Sequence, residues 1–168
     1  MAANNIRILK GGATVQRFRT EANVTVGIRE GDAIKGAIGT GTNYVGVCLT
    51  GDPEQATDML FGVSRNAGTE TASADGVIDV ELVVAAQTVM ECVATTPANV
   101  DTDAKILAIV LDHVAFDRSA ATAVGILTVD EDEGTDPDVH GLLILDIRVT
   151  DGMCFVTPSN AWIGRGQV

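Results

Sequence analysis

A chain of 168 residues is long enough for one domain with its own hydrophobic core, without disulfide or metal staples. Hydrophobic residues make up 46% but aromatic ones only 4%, so the apolar mass is Val, Ile, Leu and Ala, and the β-branched residues among them favour strands. The net charge of −12 argues against binding nucleic acid, which needs clustered Lys and Arg against phosphate.

Residues 1–22 are polar, basic and weakly patterned, with Ile6, Leu9, Val15 and Phe18 as scattered apolar points. They are expected to form an N-terminal arm that frays or orders only on a partner, ahead of a single β-rich domain over residues 23–168. Val24, Val26 and Ile28 alternate with polar or small residues as a short strand, and Glu30-Gly31-Asp32 is a turn. Residues 33–38 and 44–49 read as strands around a Gly/Thr/Asn loop. Asp52-Pro53-Glu54-Gln55 predicts the start of a short helix ending near Leu60 or Gly62. Residues 60–95 give a strand, a long small-residue loop closed by Asp75-Gly76, a strand over VIDVELVV and a further strand over TVMECVAT. Thr102 or Asp101 is placed to cap a helix from Ala104 to Ala108. Extended segments follow at 113–116, 123–129, 142–149 and 153–156, with an acidic loop over 130–138 and Trp162 in a glycine-rich tail. Eight to ten short strands with one or two short helices predict a mainly β barrel or sandwich.

The charge is unevenly spread. Residues 1–35 carry six basic and three acidic side chains, a net of +3, which leaves −15 on residues 36–168. This reads either as a solvated acidic surface or as a docking end and a solvent end. Cys48, Cys92 and Cys154 are odd in number, widely spaced and set in apolar surroundings. They form neither a disulfide framework nor a zinc pattern, and read as small core residues of a protein that folds in a reducing compartment. The start, MAANNIRILKGG, lacks a signal peptide's apolar core and no run reaches membrane-span length, so assembly in a cytoplasm, without a membrane partner, is expected. Asn23-Val24-Thr25 matches a glycosylation sequon, a chance match if the chain is not secreted.

The motifs that carry chemistry fail one by one. Gly36, Gly39 and Gly41 cluster, but no Lys-Ser/Thr follows, and the dinucleotide fingerprint lacks its third glycine. A calcium loop starting at Asp130 would need Gly at position 6 and Glu at 12, where this chain puts Gly134 at 5 and Gly141 at 12. A solvated charge run is the expectation there, with a weak irregular cation site as the alternative, and divalent cations are expected to leave the fold unchanged. His113 and His140 are the two histidines, with no cysteine paired to them for zinc and no serine in a Gly-x-Ser-x-Gly turn. No cofactor, metal or catalytic residue is assigned, and the chain is expected not to be an enzyme.

Three stretches, TVGIREGDAIKGAIG (25–39), DMLFGVSRNAGTETASADGVIDVEL (58–82) and ILTVDEDEGTDPDVHGLLILDI (126–147), together resemble the decoration, or cement, proteins of tailed-bacteriophage capsids. The resemblance covers about residues 20–150 and lies in texture and order more than in invariant motifs. It implies a compact β-barrel or tulip-like body with an N-terminal segment on the shell, a homotrimer on the outer capsid surface, and the major capsid protein as partner. The other readings are a head-fibre base or tail-tube subunit, and behind them a small β-barrel hydrolase. Joined to the charge asymmetry, the resemblance makes Ile6, Arg7, Leu9, Lys10, Arg17, Phe18 and Arg19 the candidate capsid-binding residues. On that reading, removal of residues 1–19 is expected to leave the trimer folded and abolish capsid binding.

Overall fold

The computed structural model of the protein describes residues 6–11, 14–22, 27–37, 44–53, 58–118, 127–131 and 140–159. These residues form a mainly β fold. Its eleven strands are β1 (Arg7–Lys10), β2 (Val15–Thr20), β3 (Ala33–Ala37), β4 (Tyr44–Val47), β5 (Asp58–Ser64), β6 (Gly76–Leu82), β7 (Val89–Val93), β8 (His113–Arg118), β9 (Leu127–Asp130), β10 (Leu142–Arg148) and β11 (Met153–Pro158). A 3-10 turn (Pro97–Val100) and one helix, α1 (Asp103–Ile109), lie between β7 and β8. Thr102 caps α1 by accepting from the Lys105 N–H, the role its hydroxyl predicts.

The strands divide into two bodies. β2, β4, β3, β5 and β6 close a five-stranded barrel, in which β2 runs parallel to β4 and antiparallel to β6. The other six make an antiparallel sheet in the order β1-β7-β11-β10-β8-β9. That sheet curls back on itself, because Ala94, just after β7, bridges Val129 of β9. The inward face of the barrel is packed by Ile34, Val45, Val47, Ile78 and Val80, with Phe18 and Phe61 against them at a ring separation of 5.1 Å. A second, larger cluster centred on Met90, Phe116, Val129, Leu142 and Ile144 takes in Ala33, Cys48, Leu60 and Val63 of the barrel strands, so one core runs across both bodies.

Three expectations change here. The arm expected over residues 1–22 is, at its described residues, two strands: β1 borders β7 in the sheet and β2 closes the barrel against β6. The boundary at residue 22 therefore separates no arm from a body. Alternation in VQRFRT was masked by arginines on the outward positions, while Phe18 and Thr20 turn inward. The helix expected from Asp52 to about Leu60 does not extend to its expected end: Asp58 already belongs to β5, and residues 54–57 lie outside the described set. Asp52 serves the chain differently, accepting from the Leu49 N–H at 2.6 Å. The expected strand over 24–28 carries none at Gly27 and Ile28, and 23–26 lie outside the described residues, as do the loop at 39–43, most of the acidic loop (132–139) and the tail with Trp162.

Two glycines fix how closely strands approach. Gly11, at φ +71°, lets the chain pass from β1 to β2 against the 84–88 turn, where a Cβ would stand 2.2 Å from the Gln87 carbonyl oxygen. A Cβ on Gly62 would stand 1.9 Å from the carbonyl oxygen of Glu81 on β6. Backbone cannot yield as a flexible side chain does, so Gly62→Ala should destabilise the fold by about 3 kcal/mol, read as a lower urea midpoint at unchanged slope.

Candidate functional site

The polar groups buried at the junction of the two bodies are the first place to look for chemistry. After β4 the chain crosses to β8, where the Gly51 N–H donates to the Phe116 carbonyl at 2.9 Å and the Phe116 N–H to the Asp52 carbonyl at 2.6 Å. Arg118, at the end of β8, points back into the junction. Its Nη2 donates to Asp32 Oδ1 at 3.1 Å and its Nε to the Cys48 carbonyl at 3.2 Å, with both charged side chains almost wholly buried. Asp32 is held in turn by the Arg29 N–H at 2.9 Å, and its own N–H donates to Ser64 Oγ at 2.9 Å. Beside this pair, Lys35 Nζ lies 2.6 Å from Asp52 and 2.8 Å from Asp58. Burial pushes the Asp52 carboxyl up, and the Lys35 hydrogen bond and charge offset only part of that push. For Lys35 burial is the largest single effect and would lower its pKa, but the bonds and charges of Asp52 and Asp58 together hold it above the usual lysine value. Each of these groups has a partner within the fold: the Arg118 bonds and those between residues 51–52 and Phe116 fasten the two bodies together, while Lys35 ties β3 to the segment after β4 and to β5 within the barrel.

The candidate docking residues fall on two different surfaces. Ile6 is in the core and its N–H donates to Gly31 at 3.0 Å; Phe18 packs on Phe61. Arg7, Leu9 and Lys10 are on β1, the outer strand of the sheet, with Arg7 paired to Glu91 across β7 and Leu9 44% exposed at a break in the register between Ile8 and Lys10. Arg17 and Arg19 face outward from the barrel, and each meets an aspartate near or on β6. Arg17 grips Asp79 with two bonds of 2.7 and 3.0 Å. Arg19 reaches Asp75 at 3.2 Å and lies over the Tyr44 ring, whose hydroxyl donates to the same aspartate at 2.6 Å. The structure thus keeps Arg17 and Arg19 together, sets Arg7, Leu9 and Lys10 apart from them, and removes Ile6 from the surface. Because β1 and β2 belong to the sheet and the barrel, deletion of residues 1–19 would open both bodies, contrary to the expectation of a folded truncated trimer.

The acidic run also differs from a purely solvated loop where it is described. Glu131 is 2% exposed and accepts from the Thr96 N–H and from Asn99 Nδ2, both at 3.1 Å, which pins the end of β9 to the start of the 3-10 turn. Among the described residues no group of three or more His, Cys, Asp or Glu could hold a metal ion. The three cysteines are buried and free, as small core residues would be. A feature that sequence reading passed over is a group of exposed leucines: Leu107 on α1, Leu111 just after it at φ +75°, and Leu145 on β10, which are 80%, 64% and 37% exposed. The Leu111 N–H donates to the Ile144 carbonyl, which brings the segment after α1 onto β10. The signal was the unbroken apolar run Ile106 to Leu111, more than one helical face can bury.

These faces and this junction define a mainly β protein, a closed barrel fastened to a curled sheet. No family model, no curated protein and no solved structure matches the chain.

The outward Arg/Asp pairs have a pH consequence. The Arg17 hydrogen bonds hold the Asp79 carboxyl below its usual range, and the Tyr44 hydrogen bond does the same for Asp75. A depressed carboxyl adds stability above its unfolded pKa, near 3.8, and that contribution is lost as pH falls through the lower folded value. Asp79→Asn should therefore lower the melting midpoint at pH 7, by only a degree or so because an exposed pair contributes little, and the difference from wild type should vanish as pH falls well below about 4.

Proposed function

We propose that the protein is a viral structural protein, a decoration or cement protein that binds the outer surface of a tailed-bacteriophage head and stabilises the shell. The observation that carries this reading is the character of β1. Among the described residues it is the outer strand of the sheet, and it presents Arg7, Leu9 and Lys10 on a body whose charge is otherwise strongly acidic. A strand of this kind offers unpaired backbone groups, an apolar side chain and cations to a neighbouring chain, the chemistry by which an extended segment of a capsid subunit would be held. The partner is the major capsid protein, and the place of action is the virion, after synthesis in the host cytoplasm. Arg17 and Arg19 have their charge answered by aspartates, so within the candidate set the binding contribution shifts to Leu9 and Lys10.

The test is rebinding. Purified protein added to capsids assembled without it should decorate them, and Leu9→Asp and Lys10→Glu should each weaken that binding at least tenfold while leaving the melting midpoint within about 2 °C. Wild-type protein that fails to rebind would end the reading; variants that bind as tightly as wild type would move the contact off β1.

The homotrimer belongs to the same proposal. Copies of a protein this acidic associate only through enough buried apolar area, at about 25 cal/mol per Å². Leu107, Leu111 and Leu145 offer such area, and around a threefold axis the same leucines of three copies meet one another. Sedimentation at micromolar concentration should show a trimer for the wild type and a monomer for Leu107→Asp/Leu145→Asp; a monomeric wild type would refute it.

A further inference from the structure

Cys92 and Cys154 stand 62 positions apart in the chain, yet the register of β7 and β11 sets them directly opposite one another in the middle of the sheet. The Ala94 N–H donates to the Gly152 carbonyl at 2.8 Å, which marks those two residues as a hydrogen-bonded antiparallel pair. Two residues further along each strand, Cys92 and Cys154 are a pair of the same kind. In such a pair the side chains share one face and the Cα atoms are about 5.5 Å apart, inside the window of about 4.4–6.8 Å that a disulfide spans, but the Cβ atoms, ~5 Å apart, must draw in by about 1 Å, so the bond closes with strain that takes back part of its stabilisation. Both side chains belong to the core and neither is in a disulfide; Cys92 Sγ donates to the Leu127 carbonyl at 3.4 Å, a weak bond that closure gives up. Cys48, the third thiol, lies at the junction with the barrel and accepts the Arg118 bond through its carbonyl.

We infer that Cys92 and Cys154 are a facing dithiol that closes to a disulfide when the folded protein meets a small-molecule disulfide oxidant, fixing β7 to β11. The step balances within that exchange. One cysteine loses its proton and attacks the oxidant's S–S bond, releasing one small thiol and leaving a mixed disulfide. The second cysteine, as thiolate, displaces the other small thiol. One S–S bond breaks and one forms; two protons and two electrons pass from the protein to the oxidant. Burial raises both thiols, that of Cys154 to about 12, so the closed fold reacts slowly and exchange proceeds through openings that admit the oxidant. The pair therefore stays reduced in a reducing cytoplasm and closes slowly outside it. This inference stands on the strand register and does not depend on what the protein binds.

The test uses the full chain, incubated at pH 8 with oxidised glutathione in urea at the foot of the unfolding transition, where openings are frequent. After removal of urea, free thiols are alkylated in denaturant and peptides mapped by mass without reduction. The expected product is one Cys92–Cys154 crosslink, two hydrogens lighter than the dithiol, with Cys48 outside it. The oxidised protein should melt ~5 °C higher, reversibly with dithiothreitol, because the bond closes a long loop. Recovery of Cys92 and Cys154 as free thiols, as separate glutathione adducts or crosslinked to Cys48 would overturn the inference, as would a crosslinked protein that melts no higher.

Discussion

Burying the Asp32 carboxylate against the Arg118 guanidinium is the constraint on which the arrangement of the two bodies depends. Two ions taken from water each carry a desolvation penalty of several kcal/mol, repaid only if geometry and further hydrogen bonds satisfy them. Here the Arg29 N–H and the Cys48 carbonyl supply those further bonds. The partners come from the turn before β3 and the end of β8, so the barrel and the sheet must sit in one relative position for either charge to be satisfied. The backbone bonds between residues 51–52 and Phe116 fix the same register again.

The amino-terminal strands depend on that fixed position. β1 sits on β7 of the sheet and β2 closes the barrel, and the passage between them at Gly11 runs against the 84–88 turn that carries the chain from β6 to β7. Thr88 ties the two crossings together, donating to the Gly11 carbonyl at 2.6 Å and accepting from the Val84 N–H at 2.7 Å. A segment used in this way contributes to both cores, and its exposed cations become features of a rigid surface. That changes what binding through them costs. A free arm would lose conformational entropy on docking, whereas side chains on a paired strand lose only rotamer freedom.

Much of the body was legible in sequence because its signals are local. Alternation in VIDVEL, the apolar runs around Met90 and Ile144, the Asp75-Gly76 and Asp151-Gly152 turns and the Thr102 cap each act over a few residues, and each element forms where they point. The misses are tertiary. In VQRFRT the outward positions hold arginines whose partners, Asp75 and Asp79, lie more than fifty residues away, so the strand read as a polar arm. Asp52-Pro53 has the composition of a helix start, but Asp52 is drawn into the junction by Lys35, a partner no local pattern reveals. Of the candidate surface, the chain's charge asymmetry was visible; which cations are already answered by aspartates was not. The facing of Cys92 and Cys154 needed the strand register itself.

Electrostatics and packing now divide the work between surfaces. The outer barrel face is charge-balanced by its Arg–Asp pairs, and at physiological salt a field from such pairs fades within about 8 Å. The remaining acidic excess keeps copies apart at a distance but cannot select a partner at contact. Selection has to come from groups whose partners within the fold are incomplete, and the described surface concentrates these in two places: the outer edge of β1 around Leu9, and the leucines where α1 meets β10. They lie on one sheet and are therefore held in a fixed relation by the same ladder of strands, β1 at its edge and β10 three strands in from it. Force passed from one of these places to the other would cross the strands, through interstrand hydrogen bonds and the side chains packed beneath them and not along the covalent chain.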